Sequence, residues 1–202
     1  MASERPSSTA APRGADLLRG LTEAVPAGRK RGPAPVHLWN PPHCGAIDMT
    51  IRADGSWHYM GTPIGRASLV RLFSTILRRE PDGSYALVTP VEKVEIAVED
   101  APFLAVLLDS EGEGAERRLL FTTNVGDEVE AGEEHPLRAT SDPRTGEPAI
   151  YVHVRGGLEA RLNRPVYYQL VALGEERRTS KGREFGVVSG GRFFALGPVT
   201  WA

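Results

Sequence analysis

Ile47, Met49 and Ile51 alternate with Asp48, Thr50 and Arg52, the period-two pattern of a strand with one buried face. Trp57 and Tyr59 alternate with His58 and Met60, and Asp54-Gly55 between the two runs marks a hairpin. Sidedness sets the loop. A two-residue loop would pair Ile51 with His58 and turn Trp57 away from the aliphatic residues. The three-residue loop Ala53-Asp54-Gly55, with Gly55 left-handed, pairs Ile51 with Trp57 and Met49 with Tyr59. Only the second gathers the large apolar residues on one face. It leaves Asp48, Thr50 and His58 together on the other.

Further along, the period changes. Ala67 to Arg79 carries Leu69, Val70, Leu72, Phe73, Ile76 and Leu77 on one stripe, with Arg71, Arg78 and Arg79 outside it, which predicts a helix. Pro81-Asp82-Gly83 stops it before a short strand at Tyr85 to Thr89. From Val91 a meander follows: Val94, Ile96 and Val98, then Phe103 to Leu108 and Leu119 to Thr123 around an acidic turn. Beyond Gly126-Asp127 lies a very acidic loop, then strands at Leu137 to Thr140 and Ala149 to Val154 around a turn at Asp142 to Gly146. Val166 to Leu173 predicts a second helix, with Arg164-Pro165 at its start. Glu184 to Trp201 is aromatic, glycine-rich and too apolar to float free, so a returning strand is expected.

The first 37 residues read differently. Met1 to Gly14 is rich in Ser, Ala and Pro and lacks aromatics, a composition that does not fold alone. Asp16 to Val25 spaces Leu17, Leu18, Leu21 and Val25 as a short helix, and Pro26 to Pro35 breaks it as a linker. The expected division is therefore a basic tail at 1–37, an α+β domain at 38–90 and a second at 91–202. A faint repeat joins the two domains. Trp57 to Gly61 leads into the first helix as Val152 to Gly156 leads into the second, which suggests two related units.

Composition narrows the function classes. The 202 residues hold 24 Lys+Arg and 26 Asp+Glu, so no global field favours nucleic acid or anionic lipid. No stretch approaches the ~20 apolar residues of a membrane span. One cysteine excludes an internal disulfide framework and, with no apolar signal core at the N-terminus, points to the cytoplasm. Arg29-Lys30-Arg31 lies in a tail with six basic and three acidic side chains, read as a solvated, solubilising segment.

No catalytic signature stands out. Cys44 follows His43, with His37 and His58 nearby, yet no second Cys/His pair supplies the four ligands of zinc. Neighbours on an extended chain face opposite ways, so His43 is poorly placed to activate Cys44. The glycine-containing segments fit no phosphate-binding template. Asp48 is unusual, because Asp is unfavourable inside strands. It reads either as part of a solvated face or as a carboxylate near Thr50 and His58 that hydrogen-bonds a ligand.

One stretch is more specific. Trp39-Asn40-Pro41-Pro42-His43-Cys44-Gly45-Ala46-Ile47-Asp48-Met49 is followed by Asp54-Gly55-Ser56-Trp57, Gly61-Thr62-Pro63-Ile64 and Tyr85-Ala86-Leu87-Val88-Thr89-Pro90. Asp100-Ala101-Pro102-Phe103, Thr122-Thr123-Asn124-Val125-Gly126-Asp127 and Tyr151-Val152-His153-Val154-Arg155 complete the series. Over about residues 38–173 these runs resemble a bacterial family of domains of unknown function. The resemblance implies a duplicated α+β core, a second domain similar to pleckstrin-homology folds, a ligand site where the domains meet, and a role in signalling or regulation. It brings no reaction and no cofactor.

The expectation is then a non-enzymatic ligand- or partner-binding protein of two similar, mainly antiparallel α+β units. Its site would be an interdomain groove lined by Asp48, Thr50, His58, Arg66 and Asn124, with Trp39 and Cys44 as apolar wall. An Asp48–Arg66 ion pair locking the domains is the structural alternative. A hydrolase using Asp48 with His58 or Cys44 and an assembly or adaptor protein are the functional ones. A small molecule or peptide is the expected occupant, with a protein partner next and neither membrane nor nucleic acid implied.

Overall fold

A computed structural model describes residues 32–141, 146–179 and 182–198. The expected helix at 16–25, the stretch 1–14 and most of the 142–146 turn lie outside these residues. Strand β1 (His43–Ile51) pairs antiparallel with β2 (Trp57–Tyr59), with Met49 opposite Tyr59, Thr50 opposite His58 and Ile51 opposite Trp57. The Arg52 amide donates to Ser56 O at 2.9 Å and Gly55 sits at φ 79°, so the three-residue loop is the one that forms. Burial is the reason: Ile51 is 0% and Trp57 2% exposed, and Trp57 stacks on Phe73 at 6.1 Å between ring centroids.

The first sheet continues through β3 (Thr62–Pro63), α1 (Ala67–Thr75), β4 (Leu77–Arg79), β5 (Tyr85–Val88) and β6 (Lys93–Val98). Its order is β3-β2-β1-β6-β5-β4, with β1 parallel to β6. Helix α1 ends four residues before the sequence pattern does. The hydroxyls of Ser74 and Thr75 donate back to Arg71 O and Leu72 O at 2.8 and 2.7 Å, competing for the carbonyls of the last turn. Leu77 then pairs with Leu87 on β5, so a sheet edge claims residues whose spacing alone reads as helix.

The second sheet comprises β7 (Phe103–Glu111), β8 (Arg118–Thr123), β9 (Glu128–Glu130), β10 (Leu137–Ser141), β11 (Pro148–Arg155) and β12 (Leu158–Leu162). Its order is β10-β11-β12-β7-β8-β9, with β12 parallel to β7. Matching β1–β6 with β7–β12 strand for strand reproduces the same path, including the central parallel pair. The duplication is real, and its register differs from the faint repeat in the sequence. Topology matches β2 with β8 rather than with β11. The helices also differ in place: α1 lies between the third and fourth strands of its unit, whereas α2 (Arg164–Ala172) follows the sixth. The Asn163 side chain caps α2, accepting from the Val166 amide at 3.0 Å.

This is an α+β fold of two similar six-stranded mixed sheets, each with one helix, one of them curled as a half-barrel. The expected single terminal strand is instead a three-stranded sheet of β13 (Glu175–Thr179), β14 (Gly182–Ser189) and β15 (Arg192–Pro198). Val187 and Phe194 from it join a core that runs without a break from Met49 and Phe73 to Phe121 and Leu170. Two boundaries shift. Strand β6 belongs to the first sheet, so that unit extends past residue 90. The chain is already tied down at Ala34, whose amide donates to Thr75 O at 3.0 Å, so the docked part begins before residue 38. No helix among the described residues is long and apolar enough to cross a membrane.

Candidate functional site

Cross-strand pairing puts Thr50 and His58 side by side on the outer face of β1 and β2, and the tight loop arranges what surrounds them. The Ser56 hydroxyl donates to Asp54 Oδ1 at 2.6 Å and lies 3.0 Å from His58 Nε2. With its proton committed to Asp54, the hydroxyl can only accept from histidine, which places the His58 proton on Nε2. The His58 Nδ1 is then an acceptor, buried and without a partner among the described residues. Hydrogen bonds from the Ser56 hydroxyl and amide hold the Asp54 carboxyl below the ordinary carboxylate range. This chain runs histidine to serine to aspartate. A nucleophilic serine needs the histidine to take its proton, and here the histidine gives one.

Asp48 is exposed on the same outer face, two residues from Thr50. Among the described residues no ion pair joins it to Arg66, so the structural alternative, an interdomain lock through these two side chains, is not made. Arg66 is the exposed N-cap of α1, its carbonyl accepting from the Leu69 and Val70 amides at 3.0 and 3.2 Å.

Cys44 and Trp39 lie elsewhere. Register shifts in β1 around Ala46, with Gly45 at φ 89°, invert the alternation upstream of Ile47. Cys44 therefore packs against the core, on the opposite face from Asp48, and a Cys44–Asp48 pairing has no common side of the sheet. Trp39 also packs against the core, and its carbonyl accepts from Arg78 Nη1 at 2.7 Å. Arg78 is on β4, at the far edge of the sheet from the hairpin.

Asn124 does reach the junction, as a fastener. Its Nδ2 donates to Gly55 O at 3.2 Å while its Oδ1 accepts from the Leu104 amide at 3.1 Å. Two further fasteners escaped the sequence reading. Arg155 on β11 donates to Ser74 O at 2.8 Å, bonds Asp127 and covers the Phe103 ring. Arg79 on β4 donates to Gly157 O at 3.3 Å. Each joins one unit to the other, so these three side chains fasten the junction.

At the link between the units, Asp100 accepts from Tyr151 Oη and from Arg161 Nη1, each at 2.7 Å. Burial and the Asp100 carboxylate push the Tyr151 phenol up to about 12. Both residues stand in the recognisable motif runs; no local signal joins them across the chain. Among the described residues a shallow cleft of about 550 Å³ opens between Glu128 and His135. None of the seven expected residues lines it. No cluster of His, Cys, Asp or Glu among the described residues could hold a metal ion.

Comparison with known proteins follows the same division. Residues 34–101 match the model of the N-terminal domain of unknown function DUF1285, and residues 102–196 match its C-terminal domain. A crystal structure of a DUF1285 family protein from Silicibacter pomeroyi DSS-3 is 53% identical with a TM-score of 0.82, covering 91% of this chain and 95% of that one. A second, from Shewanella baltica OS155, is 31% identical with a TM-score of 0.49, covering 62% of this chain and 91% of that one. No curated protein matches the chain. By both domain models and by its close structural relative, the chain belongs to the DUF1285 family.

Proposed function

We propose that this protein is a cytoplasmic, non-catalytic binding module with a regulatory role, and that it recognises a small polar molecule or peptide on the outer face of the first hairpin. The observation that supports this reading is the grouping of Asp48, Thr50 and His58 on one accessible face. Asp48 is exposed there and makes no ion pair among the described residues. Groups left uncommitted on a rigid sheet are available to orient a ligand. The three fasteners argue for a fixed platform, so recognition relies on a preformed surface rather than on hinge closure.

Native mass spectrometry of the full chain purified from its own host tests this. The expected result is a bound species that is lost from Asp48→Asn and from Thr50→Val, while both variants keep the wild-type melting temperature. A bound species that survives both substitutions would place the site elsewhere, and wild-type protein carrying nothing would remove the small-molecule reading.

A further inference from the structure

The outer face of β1, β2 and β6 is a bare sheet surface whose charge is one-sided. Ala46 pairs with Glu95 and Thr50 with Ala97, so four steps along β1 run against two along β6. The stretch that carries Asp48 is therefore bulged, which re-aims its side chains. Ala46, Asp48, Glu95 and Ala97 are all exposed. Alanine is a poor strand former, and here two of them leave a low floor beside the two carboxylates. The cations nearby are engaged elsewhere. Lys93 Nζ is 2.7 Å from Glu80, and Arg52 lies 3.7 Å from Glu99, whose other oxygen accepts from the Ala53 amide at 3.0 Å. Asp48 makes no ion pair among the described residues, and Glu95 meets His43 at 3.9 Å, an imidazole rather than a permanent cation.

At the end of β2, Met60 stands 68% exposed, its amide donating to Asp48 O at 2.9 Å. Its φ of 48° is a left-handed value that a tight hairpin turn takes most readily with Asn or Gly. Neither burial nor turn geometry accounts for a thioether there. We propose that this face docks a basic peptide segment: Asp48 and Glu95 hold a lysine or arginine head, and its aliphatic stem lies on Met60 and the alanine floor. This rests on the binding face proposed above and gives its occupant a chemical class. Carboxylates without a fixed counter-ion call for a cation by charge complementarity, and a long basic side chain brings an apolar stem with its charge. An open sheet surface encloses little of a small molecule, whereas an extended segment can lie along it.

NMR titration of the nitrogen-15-labelled full chain with two synthetic hexapeptides, one alternating lysine with alanine and one glutamate with alanine, tests this. The basic peptide should shift the amides of Ala46, Asp48, Met60 and Glu95 saturably, and the acidic peptide should leave them in place. The double change Asp48→Asn with Glu95→Gln should raise the Kd for the basic peptide at least about tenfold. Met60→Ser alters no charge and should raise it at least about threefold. Shifts as large in the segment from Glu128 to Glu134, which holds four glutamates, would mean attraction by charge alone and overturn the proposal. An unchanged Kd in Met60→Ser would overturn it too. If neither peptide shifts the face while Asp48→Asn still loses the species that co-purifies, the basic occupant is wrong and the binding face stands. If the basic peptide binds elsewhere and that species survives Asp48→Asn, both readings fall. Should the double variant not fold, Asp48→Asn and Met60→Ser decide separately.

Discussion

Asn124 and Gly55, 69 residues apart in sequence, are joined by an Nδ2–H···O bond of 3.2 Å that crosses from the second unit to the hairpin loop of the first. The same side chain accepts from the Leu104 amide at 3.1 Å. One amide thus ties together a turn, a strand and a loop. Asn124→Ala should lower unfolding stability by about 1–2 kcal/mol, because two backbone groups lose their partner. Asn124→Asp keeps the acceptor for Leu104 and loses the donor to Gly55, so urea melts should place it between wild type and alanine. Equal melts for all three proteins would remove the fastening role.

Gly55 is the other side of that contact. A Cβ there would lie 2.8 Å from Asn124 Nδ2 and 2.9 Å from Leu104 Cδ1, at φ +79°. Gly45 has a similar φ of +89° and nothing within 4 Å. Gly45→Ala should therefore cost only the left-handed backbone term, about 1 kcal/mol. Gly55→Ala should cost clearly more, since Leu104 and Asn124 must both move. Chemical denaturation of the two variants side by side checks this, and an equal cost would show that the seam is slack.

Glu80 joins Arg78 at 2.6 Å and Lys93 at 2.7 Å, its side chain 13% exposed. Burial pulls its carboxyl upward, but the hydrogen bonds from Arg78 and Lys93 outweigh this and leave it below the ordinary value of 4.5. A depressed carboxyl stabilises the fold at pH above that ordinary value, and the contribution is lost as pH falls through the lowered one. Glu80→Gln should cost about 2 kcal/mol at neutral pH, the scale of hydrogen bonds to a charged group, and the gap to wild type should narrow in acid. Parallel melting curves at every pH would contradict the assignment.

Tyr151 works with the opposite sign. Its raised phenol, at about 12, favours the neutral form in the fold. That stabilisation is complete below the unfolded value near 10 and fades as pH climbs toward the folded one. Tyr151→Phe should cost about 1 kcal/mol through the lost bond to Asp100. Alkaline absorbance titration should show one tyrosine fewer ionising late in the variant. A wild-type protein whose tyrosines all ionise near 10 would rule out the bond.

The first hairpin was legible because burial acts at each position separately. Ile51, Met49, Trp57 and Tyr59 must share a face, and only one loop length permits it, so register and sidedness follow from local pattern. The strand cores at Val94–Val98, Leu119–Thr123 and Ala149–Val154 follow for the same reason. Strand β12 carries the same signal, Leu158, Ala160 and Leu162 alternating with Glu159 and Arg161, but the sequence reading passed over it; Arg164-Pro165 did mark the start of α2.

What local pattern leaves open is decided by partners distant in the chain. Leu77 to Arg79 satisfy a helical stripe as well as they satisfy a strand, until β5 offers a ladder. The expected groove grouped Cys44 with Asp48, and register shifts against β6 turn Cys44 to the core instead. Arg155 and Arg79 look like ordinary exposed polar residues, and Asn124 is placed at the junction only as a groove residue, because the carbonyls they hold belong to segments 81, 78 and 69 residues away. Sidedness is a property of neighbours along the chain, and it survives in one dimension. A hydrogen bond from a side chain to a remote carbonyl leaves no periodic trace, since every residue has that carbonyl, and only the closed fold selects which one is met.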